Sequence, residues 1–323
     1  MRQYYKYILL SLIVALFSIT LTLSVVYLIP QNEKNNTTDR NFEKSIVSIV
    51  SGIDANKEIL VDDVIVGTGF CYEKNRLITN YHNIQENEDT INVITYDDKL
   101  ISATLIAKDT MNDIAILEAD LNIPSLKFSD STKCKLGEHV RSISTPISAY
   151  LRGTYSEGTI TNLDIVGFGT QRLIQTNIDL SPGCSGSPIV SDDNTVLGMI
   201  TFKSTEFGAE GLGFAVPSNR LKDIINRLEQ GIESIDLQIT FINDIWQKYG
   251  LPGAKGLIVQ EVSDSSPVLH MLQAGDIIIK INGNDIKNKV EFNEAIEQSS
   301  SSKEMQITFI RDGSTQTITL EGG

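Results

Sequence analysis

Cysteine is scarce in this chain: its 323 residues contain three, Cys71, Cys134 and Cys184. An odd number of widely spaced cysteines is not a disulfide framework, because every bridge consumes two thiols. At least one thiol must stay unpaired, so the fold has to rely on its apolar core. Hydrophobic residues make up 41% of the chain, which is enough for buried cores in about two domains of ordinary size.

Basic residues are also few, since the chain has 27 Lys and Arg but 41 Asp and Glu. The resulting net charge is −14, and the isoelectric point is near 4.7. A surface of this sign repels phosphate backbones and offers no basic stripe. The composition therefore excludes nucleic acid as an expected partner.

Charge is absent from residues 8–29, a segment of mostly apolar side chains. At 1.5 Å per helical residue, this length crosses a ~30 Å hydrocarbon layer. No small-residue cleavage motif follows it, so we predict an uncleaved transmembrane anchor rather than a signal peptide. Arg2 and Lys6 precede the span, and the positive-inside tendency then leaves residues 1–7 in the cytoplasm and everything after Pro30 outside.

The rest of the chain divides into a linker and two modules. Residues 30–42 are polar and predict a flexible stalk. Residues 43–231 contain many short β-rich runs cut by turns, which predict a mainly-β domain of the barrel or sandwich type. Residues 232–323 hold further strands and a helix, and predict a compact α+β module.

Helical periodicity first becomes clear near the end of the first module. Apolar residues recur there on one face between Leu221 and Leu228, and Ser218 or Asn219 can cap the start. Gly231 then ends the helix and marks the boundary between the two modules.

Histidine is as rare as cysteine, and one of the three stands out. His82 follows a short apolar strand, Asp113 opens a buried strand, and Ser185 lies within Gly-Cys-Ser-Gly. A serine hydroxyl becomes nucleophilic when an imidazole takes its proton and a carboxylate fixes that imidazole. Each residue alone is more often structural, but together, in this order, they predict an acyl-transfer site.

Several segments carry a family resemblance, and they occur in the family's order with its spacing: GTGF with RLITNYHNI, AKDTMNDIAIL, LKFSDSTKCKLGEHVRSISTP, SEGTITNL, IQTNIDLSPGCSGSPIV, VLGMITF and GLGFAVPSNRLKDII. They resemble the HtrA/DegP branch of the chymotrypsin-like serine proteases. The resemblance implies a double β-barrel in which His82 is the general base, Asp113 orients it and Ser185 attacks. It implies no metal and no cofactor.

Register decides between the adjacent nucleophiles Cys184 and Ser185. In the family pattern, the oxyanion hole uses the backbone N–H of the nucleophile and of the glycine two residues before it, which here are Ser185 and Gly183. If Cys184 attacked, the corresponding donor would be Pro182, which has no N–H. Ser185 is therefore the predicted nucleophile.

Two residues depart from the family pattern near this site. Ser187 replaces a second glycine, and its added hydroxymethyl group could crowd the packing behind the nucleophile. Asn83 follows His82 where an apolar residue or cysteine is usual. These departures leave open an alternative function, a weakly active or inactive chaperone or adaptor that binds unfolded chains or C-terminal peptides.

The specificity pocket is a separate question. Asp179 lies six residues before Ser185, the position whose carboxylate binds basic side chains in trypsin-like enzymes, and Thr201 is a second candidate pocket residue. If Asp179 is desolvated, a substrate Lys or Arg is favoured. If it faces solvent, which is the interpretation we favour, the aliphatic preference of the HtrA family applies.

The second module resembles a PDZ domain of the HtrA type. In such domains an extended chain end pairs with a strand while its carboxylate meets loop N–H groups. The resemblance assigns this role to Lys255, Gly256, Leu257 and Ile258. Phe292 or Ile296 from the helix would complete an apolar pocket.

The sequence as a whole predicts a serine endopeptidase held in a bacterial cell membrane by a single span, with both modules outside. By resemblance, its substrates are misfolded or damaged proteins in quality control, and it assembles as a homotrimer through the protease domains.

Overall fold

The computed structural model describes residues 40–52, 66–165, 171–201, 211–231, 237–241, 256–262, 266, 268–300 and 304–321. Within these ranges no helix is long and apolar enough to cross a membrane. The segment predicted to span the membrane, residues 8–29, lies outside them.

The first barrel is closed and antiparallel, with strands hydrogen-bonded in the order β1-β2-β3-β6-β5-β4. Its strands are β1 (Ile46–Ser51), β2 (Val66–Glu73), β3 (Arg76–Thr79), β4 (Ile91–Ile94), β5 (Leu100–Asp109) and β6 (Ile114–Glu118). In β6, Ala115 and Leu117 fill the barrel interior, whereas Ile114 and Ile116 enter a cluster shared with the second barrel. This alternation explains why the strand reads as a continuous apolar run.

The second barrel closes in the order β10-β11-β12-β9-β8-β7. Its strands are β7 (His139–Ser144), β8 (Thr154–Ile165), β9 (Leu173–Thr176), β10 (Pro188–Val190), β11 (Val196–Ile200) and β12 (Gly213–Pro217). Short 3-10 helices lie at Arg40–Ser45, Tyr81–Asn83, Ser131–Lys133 and Ala149–Leu151. The two closed barrels confirm the predicted double β-barrel.

Helix α1 (Ser218–Glu229) follows β12 and buries Leu221, Ile224, Ile225 and Leu228 in the cluster shared by both barrels. Its predicted cap is wrong, because Pro217 occupies the N-cap and no side chain caps the helix. The Ser218 hydroxyl instead donates to the Ser129 carbonyl. Gly231, with φ +74°, donates its N–H to the Leu228 carbonyl, as expected of a glycine that ends a helix.

The remaining sheet has the strand order β13-β14-β15-β17-β18, and β16 pairs with β15. Its elements are β13 (Leu237–Phe241), β14 (Leu257–Val262), β15 (Ile277–Ile281), β16 (Asn284–Asp285), helix α2 (Lys289–Ser300), β17 (Glu304–Arg311) and β18 (Ser314–Glu321). One core cluster holds the sheet and α2 together.

Helix α2 also contacts the turn between β5 and β6, which ends at Asp113. Met111 packs against the core of the α2 sheet, and Asn293 donates to Asn112 Oδ1 at 2.6 Å. Glu297 forms an ion pair with Arg220 of α1. The second module is therefore joined to the loop that carries a predicted catalytic residue.

Candidate active site

His82 and Asp113 lie in direct contact. The ring nitrogen Nδ1 of His82 is 2.7 Å from Asp113 Oδ2, and the His82 backbone N–H donates to Oδ1 at 2.9 Å. The His82 side chain is 34% exposed and that of Asp113 is 12% exposed. The carboxylate therefore fixes both the ring and its backbone, and Nε2 is the nitrogen that can take up a proton.

The backbone of Asp113 is fixed by hydrogen bonds to its carbonyl. It occupies the left-handed region with φ +57°, which aspartate tolerates better than most residues. Its carbonyl accepts from the Asn80 side chain at 2.9 Å and from the Tyr81 N–H at 3.1 Å. The two loops that supply His82 and Asp113 are thus locked together by backbone and side-chain bonds.

The segment before Ser185 is a tight turn. Cys184 N–H donates to the Ser181 carbonyl at 3.1 Å, and Gly183 has φ +94°. Proline followed by glycine at positive φ is the sequence of a type II turn. The local sequence Ser-Pro-Gly-Cys therefore accounts for this conformation.

Two neighbouring loops hold the carbonyls of that turn. The Ile147 N–H donates to the Pro182 carbonyl at 2.6 Å, and the Thr68 hydroxyl donates to the Gly183 carbonyl at 2.7 Å. In a trans peptide the C=O and N–H point in opposite directions, so the Gly183 N–H points away from Ile147. No acceptor for this N–H lies among the described residues, which suits an oxyanion donor.

Ser185 is buried, and its carbonyl ties the two barrels together. The carbonyl accepts from the Thr68 N–H at 3.0 Å and from Asn83 Nδ2 at 3.1 Å. A Cβ on Gly186 would lie 1.9 Å from the Thr68 carbonyl, so only glycine fits after the nucleophile. The loops of His82 and Ser185 meet through Asn83, the residue that departs from the family pattern.

Ser187, the other residue that departs from the family pattern, is also accommodated. Ser187 is fully buried, and its hydroxyl donates to the Cys184 carbonyl at 2.6 Å and accepts from Ser142 at 3.3 Å. The hydroxyl that could have crowded this packing is thus hydrogen-bonded on both sides.

The three cysteines are all free and buried. The Cys184 sulfur lies 3.3 Å from the Ser144 hydroxyl. Burial raises the pKa of Cys71 to about 11 and that of Cys134 to about 11. The thiols of Cys71 and Cys134 are therefore protonated at neutral pH and pack as small apolar side chains.

The two candidate pocket residues differ in exposure. Asp179 is exposed, whereas Thr201 is buried and its N–H donates to the Phe214 carbonyl. No hydrogen bond joins them within the described ranges. An exposed carboxylate is hydrated, so Asp179 lacks the desolvation that a strong preference for basic side chains requires.

The predicted PDZ site needs correction. Strand β14 pairs with β13 on one side and β15 on the other at both Leu257 and Ile258. A bound chain cannot add to a strand whose two edges are occupied. Among the described strands, the edge strand next to β14 is β13. The sequence of residues 255–258 does not show that a further strand, β13, pairs with β14 on its other side.

The structure also shows where the other residues predicted for the peptide site lie. Phe292 and Ile296 belong to the buried core, being 1% and 3% exposed. Gly256 is buried at φ +119°, and a Cβ there would lie 2.5 Å from the Ile278 carbonyl, so this glycine allows close strand packing. Lys255 lies outside the described residues.

Family models match the two modules separately. The trypsin-like peptidase domain matches residues 67–199, and the PDZ domain matches residues 212–321. The second match begins inside the second barrel, since β12 pairs with β9 and β11.

Similar curated proteins carry HtrA and DegP names. "Serine protease Do-like HtrB" of Bacillus subtilis is 29% identical over 76% of this chain and 58% of its own length. A "probable periplasmic serine endoprotease DegP-like" of Rickettsia conorii is 33% identical over 77% of this chain and 52% of its own. The chain thus spans little more than half the length of these relatives.

Solved structures show the same fold. The HtrA-type protease AlgW with a decapeptide superposes with a TM-score of 0.62 at 20% identity, covering 89% of this chain and 98% of AlgW. The serine endoprotease from Yersinia pestis gives 0.61 at 21% identity, covering 88% and 96%. The two domain matches and the curated relatives establish that the chain belongs to the HtrA/DegP family, with a trypsin-like peptidase domain followed by a PDZ domain.

Proposed function

We propose that this chain is a serine endopeptidase with Ser185 as its nucleophile. The observation that carries the proposal is the pairing of His82 Nδ1 with Asp113 Oδ2 at 2.7 Å, beside a loop whose Ser185 carbonyl is bonded to Asn83. The exposed fraction of His82, 34% of its side chain, leaves the imidazole accessible from solvent.

The reaction follows from the roles of these groups. His82 Nε2 takes the Ser185 proton as the hydroxyl oxygen attacks the substrate carbonyl, and Asp113 stabilises the imidazolium that forms. The same imidazolium then protonates the leaving amine. Water repeats the sequence to release the acyl group from Ser185.

The turn before Ser185 supplies the oxyanion site. Gly183 N–H and Ser185 N–H are the proposed donors to the oxygen that becomes negatively charged. The Pro182 and Cys184 carbonyls share their peptide units with these two N–H groups, and both carbonyls are held by hydrogen bonds. This supports the role, because preorganised donors need no reorientation during the reaction.

The substrates and location are proposed from similarity. The DegP-like relatives are named as periplasmic endoproteases, and residues 8–29 are long and apolar enough to span a membrane. We propose a single-pass anchor in a bacterial membrane, with both modules outside, where the protein degrades misfolded or damaged proteins.

The proposal also includes a peptide ligand and self-assembly. The AlgW structures contain peptides, and here an extended chain end would add to the β13 edge rather than to β14. Assembly as a homotrimer remains a prediction from the family resemblance. Light scattering on the purified protein tests it.

A fluorophosphonate probe and an unfolded protein substrate test the proposed activity. We expect labelling and cleavage by the parent protein and loss of both in Ser185→Ala. A correctly folded parent protein that neither reacts with the probe nor cleaves the substrate would overturn the proposal.

A further inference from the structure

Two buried hydroxyls form a chain directly behind the nucleophile. Ser142 on β7 donates to Ser187 Oγ at 3.3 Å, and Ser187 Oγ donates to the Cys184 carbonyl at 2.6 Å. Ser142 is 1% exposed and Ser187 is 0% exposed. Solvent therefore cannot replace either hydroxyl in this chain.

The Cys184 carbonyl and the Ser185 N–H belong to one peptide unit. Because the peptide is trans, a donor that holds the carbonyl on one side fixes the N–H direction on the other. A hydrogen bond to the carbonyl also polarises the amide and strengthens its N–H as a donor. The chain of hydroxyls thus acts on a group that the mechanism needs.

The turn itself does not need the Ser187 hydroxyl. The Ser187 backbone N–H already donates to the same Cys184 carbonyl at 3.1 Å, and glycine or alanine at this position would keep that bond. The hydroxyl supplies a second, shorter bond to an acceptor with two lone pairs. Its contribution is therefore to the alignment and polarity of the peptide rather than to closure of the turn.

We propose that Ser187 is a positioning residue that aims and strengthens the Ser185 N–H as an oxyanion donor, and that Ser142 holds the Ser187 hydroxyl in place. This inference rests on the proposed peptidase activity, since it assigns a task to the same site. Both hydroxyls are buried, so a substrate bound at the surface cannot reach them.

The test compares variants of the full chain with a peptide substrate and a peptide aldehyde, whose adduct with Ser185 places an oxyanion in the hole. For Ser187→Gly and Ser187→Ala we expect kcat to fall about 10-fold, below the 10²–10³-fold loss of a whole donor, with KM unchanged. Aldehyde binding should weaken by a similar factor. Ser142→Ala should give a smaller loss of the same kind.

Ser218→Ala is the matched control, because Ser218 also donates a buried hydroxyl to a backbone carbonyl, that of Ser129. It should lower Tm without changing kcat or aldehyde binding. Ser187 variants that change only Tm, in a parent enzyme that is active, would overturn this inference alone. A parent that neither cleaves nor takes up a fluorophosphonate would overturn the proposed function, and the inference with it.

Discussion

Asn83 Nδ2 donates to the carbonyl oxygen of Ser185 at 3.1 Å and to Thr79 Oγ1 at 3.0 Å, so one buried amide joins the loop of His82 to the loop of the nucleophile. The two loops come from different barrels. Their relative position therefore depends on a side chain that the family pattern does not require.

Replacing Asn83 by alanine should affect both stability and rate. Loss of a buried hydrogen bond costs about 1–2 kcal/mol, and we expect kcat to fall because His82 and Ser185 are less firmly held. Asn219→Ala is the control, since it removes a bond to Asp130 away from the site. Equal kcat in both variants, measured with a peptide substrate, would show that Asn83 is structural only.

Asp113→Asn should leave the fold intact while reducing kcat by about 10⁴-fold, the loss known for the corresponding change in a Ser-His-Asp triad. The amide can hold the ring in the wrong tautomer and cannot stabilise an imidazolium. Peptide hydrolysis together with Tm measures this. A loss of less than tenfold in a folded variant would exclude Asp113 as the orienting carboxylate.

Two glutamates on α2 allow a matched test of the contact between the modules. Glu297 pairs with Arg220 at side-chain exposures of 16% and 20%, whereas Glu294 pairs with Arg172 at 40% and 47%. Glu297→Ala should cost about 2 kcal/mol, since it leaves the mostly buried Arg220 guanidinium without this carboxylate partner. Glu294→Ala should cost less than about 1 kcal/mol.

Denaturant unfolding measures the loss in free energy of unfolding for Glu297→Ala and for Glu294→Ala. Equal destabilisation would mean that the Arg220 pair is solvated like the exposed one. Peptide hydrolysis by Glu297→Ala adds a second readout, because the same helix contacts Asn112 beside Asp113.

The substrate preference should be aliphatic. Asp179 is exposed, so a basic side chain before the scissile bond gains little from it. Matched peptides with Val, Leu, Lys or Arg at this position should show equal or faster cleavage after Val and Leu, unchanged in Asp179→Ala. Faster cleavage after Lys and Arg that disappears in this variant would place Asp179 in the pocket.

Much of the fold could be predicted from local patterns. The apolar run of β6 predicts a buried strand, and the periodic apolar face of α1 predicts a helix. The order of His82, Asp113 and Ser185 indicates the active site. Strand β5 is harder to recognise, because its large apolar residues occur as the adjacent pairs Leu100-Ile101 and Leu105-Ile106. They do not alternate with polar residues as in a half-buried strand.

Long-range pairing explains the other failures. Nothing in residues 256–258 shows that β14 is central rather than an edge strand, since that depends on β13 and β15. Likewise, the effect of Ser187 could not be judged without Ser142, which is 45 residues away in sequence. Local sequence specifies a side chain, whereas the partner that satisfies it is set by the tertiary fold.

The position of the fluorophosphonate adduct tests the central claim most directly. Mass spectrometry of the labelled, digested protein distinguishes Ser185 from Cys184, and each variant, Ser185→Ala and Cys184→Ala, is labelled in parallel. We predict an adduct on Ser185 in the parent and in Cys184→Ala, and none in Ser185→Ala. An adduct on another residue, or labelling that survives in Ser185→Ala but is lost in Cys184→Ala, would contradict the account.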